Sequence, residues 1–327
     1  MGTIEFSSKQ IYQGSDYVDK NLETYCIPLV GDLNGDGYPE IVITGTTGVY
    51  TSMRDIRIYN GQNGDLISTL RLLPDATFDL NGDWHASPSY MALVNTDRKA
   101  TDLADGESQN AELIVAYSRI SLTKYAHRVE SFDIIYNKYT GKYRIKSRWD
   151  NKYHDTSVIA LAKPIPQILD FDGDGKAEVL VYNKIFDAET GQLKVTLGNL
   201  TTSENSCVHV GKDYSAYLED DHVNFSQTYD MDFDGKYDYI AGGMVYYDIN
   251  IQNGTSKLID VSSSLGIHDG RTGVADINGD GIPDIVVIRT TKTRASGKRE
   301  IIVWDPNLLV LENGIPKKTL EPSNLKY

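Results

Sequence analysis

Hydrophobic and polar residues alternate along this chain over short distances, in a pattern typical of β-strands. Short apolar runs rich in Val, Ile and Tyr recur throughout the sequence, and turns containing Gly, Asn and Asp separate them. Runs of β-branched and aromatic residues bounded by such turns predict strands. The sequence has no long amphipathic helical pattern and no apolar run approaching the roughly eighteen residues of a membrane span. We therefore predict an all-β protein without a transmembrane segment.

Four segments that precede apolar runs repeat one acidic pattern. Each has an oxygen-bearing side chain at positions 1, 3, 5 and 9, and Gly at position 6. Calcium takes six to eight oxygen ligands, alternate residues of a tight loop can supply them, and Gly permits the sharp turn. We number these segments as loops 1 to 4: DLNGDGYPE (32–40), DFDGDGKAE (170–178), DMDFDGKYD (230–238) and DINGDGIPD (276–284).

The predicted ligands of each loop are the four side chains at positions 1, 3, 5 and 9 and the main-chain carbonyl of position 7. About four structural Ca²⁺ ions follow from the four loops. An acidic turn that binds no metal is the alternative. The predicted ligands are Asp32, Asn34, Asp36, Tyr38 and Glu40; Asp170, Asp172, Asp174, Lys176 and Glu178; Asp230, Asp232, Asp234, Lys236 and Asp238; and Asp276, Asn278, Asp280, Ile282 and Asp284.

The residues after each loop exclude an EF-hand. An EF-hand places a bidentate Glu at position 12 and lies between helices. Here position 12 is apolar in every copy, and the surrounding residues form runs typical of buried strands. We therefore predict that the loops connect strand to strand. The residues at position 12 are Ile43, Val181, Ala241 and Val287.

A second repeat alternates with the loops. An aromatic residue, usually followed by Asn or Asp, precedes a Gly-containing turn of the kind found in hairpins. Five such hairpins define units of about 22–75, 86–150, 157–200, 224–265 and 270–320. Repeats of this size favour a β-propeller of four-stranded antiparallel blades, built as a single domain over residues 1–327. We predict about five blades, with six or seven left open, and an N-terminal strand (about 4–12) that closes the ring.

The second unit lacks a complete loop. Asn95, Asp97 and Glu112 match positions 1, 3 and 9, but a polar insertion separates the last of them from the others. Either the metal site is lost in this unit or the insertion carries a modified one. We favour loss, because an insertion of this length disrupts the spacing of a ligand cage.

The net charge of −14 has a local explanation, because the four loops together hold as many acidic residues as this charge. An acidic surface disfavours nucleic acid as a partner. The loops suit the calcium levels outside cells, so we predict an extracellular, cell-surface or periplasmic protein whose export signal is not part of this sequence. Cys26 and Cys207 could form a disulfide or remain free thiols.

The loop pattern followed by a short apolar strand resembles the FG-GAP or VCBS-type repeat. The resemblance is close in the first, third, fourth and fifth units and poor in the second. It implies a calcium-stabilised β-propeller, as in integrin α-subunits and many secreted bacterial proteins, with structural calcium in the four loops. The hairpins add a weaker resemblance to bacterial rhamnogalacturonan lyase propellers.

No catalytic motif of discriminating spacing is present in the sequence. We predict a non-enzymatic adhesion or ligand-binding module that binds a glycan or protein on one face, as a monomer or as one domain of a larger protein. A polysaccharide lyase is the alternative, with a base and a cation to neutralise a uronate. Candidate ligand-binding residues are Trp84, His85, Trp149, Arg289 and Arg294.

Overall fold

The described part of the chain is built of antiparallel β-sheets. A single helical turn, α1 (Ser262–Leu265), is present within it, and this part contains no helix long and apolar enough to cross a membrane. The all-β prediction is therefore confirmed. The computed structural model describes residues 28–45, 55–71, 85–86, 90–120, 126–153, 166–181, 184–197, 226–265, 271–290 and 299–318.

The chain divides into two compact units. Unit 1 contains Met1–Asp155 and Ala188–Gly191, and unit 2 contains Thr156–Asp187 and Gln192–Tyr327. Each unit has its own sheets and buried core. The closure of all the sheets into one ring stays a prediction, and the predicted N-terminal strand (4–12) lies outside the described residues.

The first sheet of unit 1 has four strands in the order β1-β2-β3-β4, as predicted for a blade. Loop 1 joins β1 to β2. The turn between β3 and β4 is set by Asn60, whose Oδ1 accepts the N–H groups of Gln62 and Asn63 at 2.8 and 3.2 Å. The strands are β1 (Leu29–Gly31), β2 (Glu40–Gly45), β3 (Asp55–Asn60) and β4 (Leu66–Arg71).

The second sheet of unit 1 differs from a four-stranded blade, because two short strands pair with the same long strand. Strands β5 and β6 both pair with β7, which continues to β8 and β9, so the sheet has five strands. The strands are β5 (His85–Ala86), β6 (Tyr90–Val94), β7 (Glu107–Ile120), β8 (Ala126–Asn137) and β9 (Lys142–Tyr153).

Two irregularities in this sheet bring side chains into the loops. The pairing of β7 with β8 shifts between Gln109 and Ala111, which leaves Asn110 as an extra residue. The pairing of β8 with β9 shifts between Ser131 and Phe132, which leaves Arg148 as an extra residue on β9. A β-bulge of this kind changes the direction of the side chain that it carries.

The core of unit 1 lies between its two sheets. Val42 and Ile58 of the first sheet and Leu113 and Ile134 of the second are almost fully buried in one cluster. Leu33, at position 2 of loop 1, is part of the same cluster. Loop 1 is therefore anchored to the core by the side chain of Leu33.

The described residues of unit 2 form two four-stranded sheets, a three-stranded sheet and a separate hairpin. The first sheet has β10 (Gln167–Leu169), β11 (Glu178–Val181), β12 (Lys184–Asp187) and β13 (Leu193–Thr196). The second has β14 (Gln227–Tyr229), β15 (Asp238–Ala241), β16 (Met244–Asn250) and β17 (Thr255–Asp260). The third has β18 (Arg271–Ala275), β19 (Asp284–Thr290) and β20 (Arg299–Trp304).

The last predicted unit departs from a four-stranded blade. After β20, Asn307 takes a positive φ of 55°, and the chain then forms a hairpin of β21 (Leu309–Glu312) and β22 (Ile315–Lys318) that pairs with itself. Asn313 and Gly314 form its turn with φ of 55° and 78°, values that favour Asn and Gly. We call this element the C-terminal hairpin.

The two central strands of the β14–β17 sheet, β15 and β16, are buried on both faces. Tyr239 and Tyr246 pack with the β10–β13 sheet in one cluster, whereas Ile240 and Val245 pack with the β18–β20 sheet in another. Successive residues of a strand point to opposite faces. Burial of both faces therefore explains why residues 239–243 (YIAGG) are apolar throughout. Unit 2 thus contains a stack of three sheets.

Candidate metal centres

The four acidic loops share one frame of hydrogen bonds. Each loop joins the first two strands of its sheet, and its position 9 carboxylate, at the start of the second strand, accepts the N–H of position 2. This bond closes the loop across its base. The pairs are Leu33 to Glu40 at 2.8 Å, Phe171 to Glu178 at 2.9 Å, Met231 to Asp238 at 2.8 Å and Ile277 to Asp284 at 3.0 Å.

The position 1 carboxylate accepts the N–H of the position 6 glycine in every loop. These four glycines have φ between 84° and 88°, a conformation that side chains rarely allow. The sharp turn expected at position 6 is therefore present. The pairs are Asp32 with Gly37 at 2.9 Å, Asp170 with Gly175 at 2.9 Å, Asp230 with Gly235 at 2.9 Å and Asp276 with Gly281 at 2.8 Å.

The side chains at positions 3 and 5 also turn into the loop. The position 5 carboxylate accepts the N–H of position 7, which belongs to Tyr38, Lys176, Lys236 and Ile282, at 2.8 to 2.9 Å. The position 3 oxygen accepts the N–H of position 5 at 2.8 to 3.3 Å. The predicted side-chain ligands of each loop are thus gathered around one turn.

Carboxylate oxygens approach one another most closely in loops 2 and 3. Among the described residues, the groups Asp170, Asp172, Glu178 and Asp230, Asp232, Asp234 each place one oxygen per residue within 4.8 Å of the others. Loops 1 and 4 have Asn at position 3. In loop 1 the Asn34 amide links two acids, donating to Asp36 at 3.1 Å and to Glu40 at 2.9 Å.

Burial of these acids disfavours their charged forms. Burial, with a smaller contribution from the neighbouring loop carboxylates, raises the pKa of Glu178 to about 7 and that of Asp238 to about 8. Burial likewise raises the pKa of Glu40 and Asp232. A bound dication would favour the ionised carboxylates and reverse these shifts.

A side chain of the C-terminal hairpin brings a positive charge to loop 3. The Lys318 ammonium forms ion pairs with Asp232 and, at 3.5 Å, with Asp234. It also contacts Asp248 at 2.9 Å. Burial alone would lower the pKa of Lys318, but the hydrogen bonds with Asp232 and Asp248 raise it overall. The oxygen cage of loop 3 therefore accommodates a cation.

Residues from neighbouring strands also reach the loops. The amide of Gln252, in the turn after β16, contacts Asp172 Oδ2 at 3.2 Å. Asn110, the extra residue of the β7 bulge, donates to the Leu33 carbonyl at 3.3 Å. Sequence reasoning missed Gln252, Asn110 and Lys318, because none lies in a loop motif and only the packing of the sheets brings them there.

The oxygen-only donor sets fit Ca²⁺. Carboxylates, a side-chain amide in two loops and a main-chain carbonyl are the ligands that calcium takes in flexible geometry. In loop 3 the Lys318 ammonium lies against Asp232 and Asp234, so an ion that enters this loop would compete with it. In each loop the residues that would hold the ion are those at positions 1, 3, 5, 7 and 9.

The predicted ligand-binding residues are only partly described. Trp149 is a correction: it lies on β9 with 9% of its surface exposed, donates its indole N–H to the Ala188 carbonyl at 3.0 Å, and so offers no stacking surface. The backbones of His85 and Arg289 lie on β5 and β19. Trp84 and Arg294 lie outside the described residues, as do the two cysteines, Cys26 and Cys207.

No protein-family model matches the chain, and no curated protein matches it. Among solved structures, the chain is similar to the V. cholerae biofilm matrix protein Bap1, with a TM-score of 0.42 and 16% sequence identity. The match covers 85% of this chain and 37% of the Bap1 chain, so this chain spans little more than a third of that protein's length.

Proposed function

We propose that this protein is a calcium-stabilised β-propeller of the FG-GAP or VCBS type, with structural Ca²⁺ in loops 1 to 4. The observations that carry the proposal are the frame of hydrogen bonds shared by all four loops and the carboxylate oxygens that lie within 4.8 Å of one another in loops 2 and 3. The sheets packed face to face in unit 2 suit a propeller, whose blades stack in this way.

Calcium in these loops would stabilise the connection between the first two strands of each blade. Bound Ca²⁺ supplies positive charge to a group of three or four acids. The buried carboxylates Glu178 and Asp238 lie at the start of their strands, so neutralising them also stabilises the strand that follows. The role is structural, and the chemistry of recognition belongs to other residues.

Thermal unfolding in calcium and in chelator tests this proposal. Because a ligand that binds only the folded state raises its stability, 1 mM Ca²⁺ should raise the melting temperature relative to EDTA. Magnesium at the same concentration is the control, since it prefers a smaller, octahedral site and should stabilise less. Identical melting curves in calcium and EDTA would refute structural calcium.

We further propose that the protein is an extracellular or periplasmic binding module without catalytic activity, and that its ligand is a glycan. Loop 3 and the strand before it carry three exposed aromatic side chains: Tyr229, Phe233 and Tyr237 are 41%, 47% and 40% exposed. Exposed aromatic groups concentrated on one loop favour a binding surface, and flat rings suit the apolar faces of sugars.

Binding to immobilised polysaccharides tests the glycan proposal. The triple variant Tyr229→Ala, Phe233→Ala, Tyr237→Ala should lose binding, whereas Tyr38→Ala, an exposed aromatic on loop 1, should keep it. Equal binding by both variants would exclude this surface. Turnover of pectic polysaccharides, followed by the absorbance of unsaturated products, would instead favour the lyase alternative.

A further inference from the structure

We propose that the guanidinium of Arg148 takes the place of the metal ion in the second repeat of unit 1, so that this repeat is stabilised without calcium. The inference rests on the proposed calcium function of loops 1 to 4. It concerns the incomplete loop that begins at Asn95 and ends at Glu112, which we call the split loop.

The split loop keeps one bond of the complete loops, the bond that closes them across the base. The N–H of Thr96 donates to Glu112 at 2.9 Å, which reproduces the bond from position 2 to position 9. Asp97 donates its N–H to Asn95 at 3.0 Å, and Glu112 is 1% exposed. The base of the loop is therefore present, with its position 9 carboxylate buried, although the sequence motif is interrupted.

Four oxygen atoms surround the Arg148 guanidinium within this frame. Its Nε lies 2.6 Å from Asp133 Oδ1, and one Nη lies 3.0 Å from Glu112 Oε1. The other contacts are Thr96 Oγ1 and the Arg98 carbonyl, each at 2.6 Å. Two carboxylates, a hydroxyl and a carbonyl form an oxygen-only set like that of a calcium site.

The local backbone explains how Arg148 reaches this position. It is the extra residue of the β9 bulge, and such a bulge changes the direction of its side chain. The polar insertion packs beside it. Gln109, 2% exposed, donates to Glu112 at 2.7 Å and accepts the Ala100 N–H at 2.6 Å. The insertion and the bulge together build a site for an organic cation.

Calcium would have to displace Arg148 to enter the split loop. The Arg148 side chain is 6% exposed and pairs with Asp133 and Glu112, which are equally buried. Removing one member of a buried ion pair leaves an uncompensated charge and is strongly destabilising. Arg148 is therefore a permanent occupant. Lys318 at loop 3 differs because it is 39% exposed and more easily displaced.

Two matched pairs of variants test the proposal. The measured quantity is the number of Ca²⁺ ions bound per chain after equilibrium dialysis. Glu112→Gln and Glu178→Gln change position 9 in the split loop and in loop 2, and both keep an acceptor for the backbone N–H. We expect Glu178→Gln to lose one Ca²⁺ per chain and Glu112→Gln to lose none. Loss of one Ca²⁺ in Glu112→Gln would overturn the proposal.

A second pair covers the case in which Glu112→Gln fails to fold. Asn95→Ala changes an exposed residue at position 1 of the split loop and should keep the full calcium count, whereas Asp170→Ala should lose one. A lower count in Asn95→Ala would overturn the proposal.

A protein that binds no calcium would refute the proposed function, and the role of Arg148 would then be tested separately. In EDTA, Arg148→Gln should lower the melting temperature by several degrees, because Glu112 and Asp133 lose their cation. An unchanged melting temperature would show that the guanidinium does not stabilise the split loop.

Discussion

Replacing Glu178 by Gln should change the stability of the protein in opposite directions with and without calcium. The substitution keeps the size of the side chain and an oxygen that can accept the Phe171 N–H. In the wild type the Phe171 nitrogen lies 2.9 Å from Glu178 Oε2. It removes one negative charge from loop 2. That charge is favourable beside a bound Ca²⁺ and unfavourable in a buried loop without the ion.

The pKa of Glu178 sets the size of the effect. Burial raises it from an ordinary 4.5 to about 7, so the carboxyl contributes stability below pH 4.5 that is lost as the pH rises through about 7. Since one pKa unit corresponds to about 1.4 kcal/mol, the ionised carboxylate costs on the order of 3 kcal/mol in chelator at pH 8. Gln avoids this cost, which corresponds to a rise of roughly 6 to 12 °C in melting temperature.

The assay is thermal unfolding of the wild type and the variant at pH 8, once in EDTA and once in saturating Ca²⁺. Glu178→Gln should melt above the wild type in EDTA and below it in calcium, where loss of a ligand weakens metal binding. At pH 5 in EDTA the two proteins should melt within about 2 °C of each other, because the wild-type carboxyl is then largely protonated.

Glu112→Gln is the matched control, because its carboxylate pairs with Arg148 instead of calcium. It should lower the melting temperature in both buffers by similar amounts. If Glu178→Gln also lowers the melting temperature equally in both buffers, the buried charge of loop 2 is not balanced by a metal and the reasoning fails.

Three further predictions test other contacts. In EDTA the melting temperature should fall between pH 5.5 and pH 8.5, since the pKa of Asp238 is raised to about 8, and a pH-independent curve would contradict this. Lys318→Met should tighten calcium binding at one site severalfold, measured by calorimetric titration, because the ammonium competes for the acids of loop 3; unchanged affinity would exclude that competition. Gly191→Ala should lower the free energy of unfolding by roughly 2 to 3 kcal/mol, because its Cβ would lie 2.6 Å from the Trp149 ring. Gly141→Ala, with open space around it, should lower it by about 1 kcal/mol, and equal losses in chemical unfolding would refute the steric argument.

Local patterns in the sequence predicted much of the fold. The apolar runs after the loops became strands β2, β11, β15 and β19, and the Gly-containing corners became turns. The corner after β16 is an exception, because Asn250, three residues after the aromatic Tyr247, accepts the turn N–H groups of Gln252 and Asn253. A bulge between Tyr247 and Asn250 moves the turn along the chain, and such a shift leaves no signal in the sequence.

The cations against the loops could not be predicted from the sequence. Arg148 lies on a strand far from the split loop and reaches it through a bulge, while Lys318 reaches loop 3 from a hairpin about eighty residues away. Trp149 is a predicted ligand-binding residue, yet its ring packs on Gly191. Each contact depends on how strands pack, which residue spacing does not specify.

The number of calcium ions bound per chain tests the central claim most directly. Mass spectrometry of the native protein, with an EDTA-treated sample as the control, gives this number without reference to stability. The account predicts about four Ca²⁺, one for each of loops 1 to 4 and none at Arg148. A chain that binds no calcium would contradict the account, and a fifth ion would contradict the assignment of the split loop.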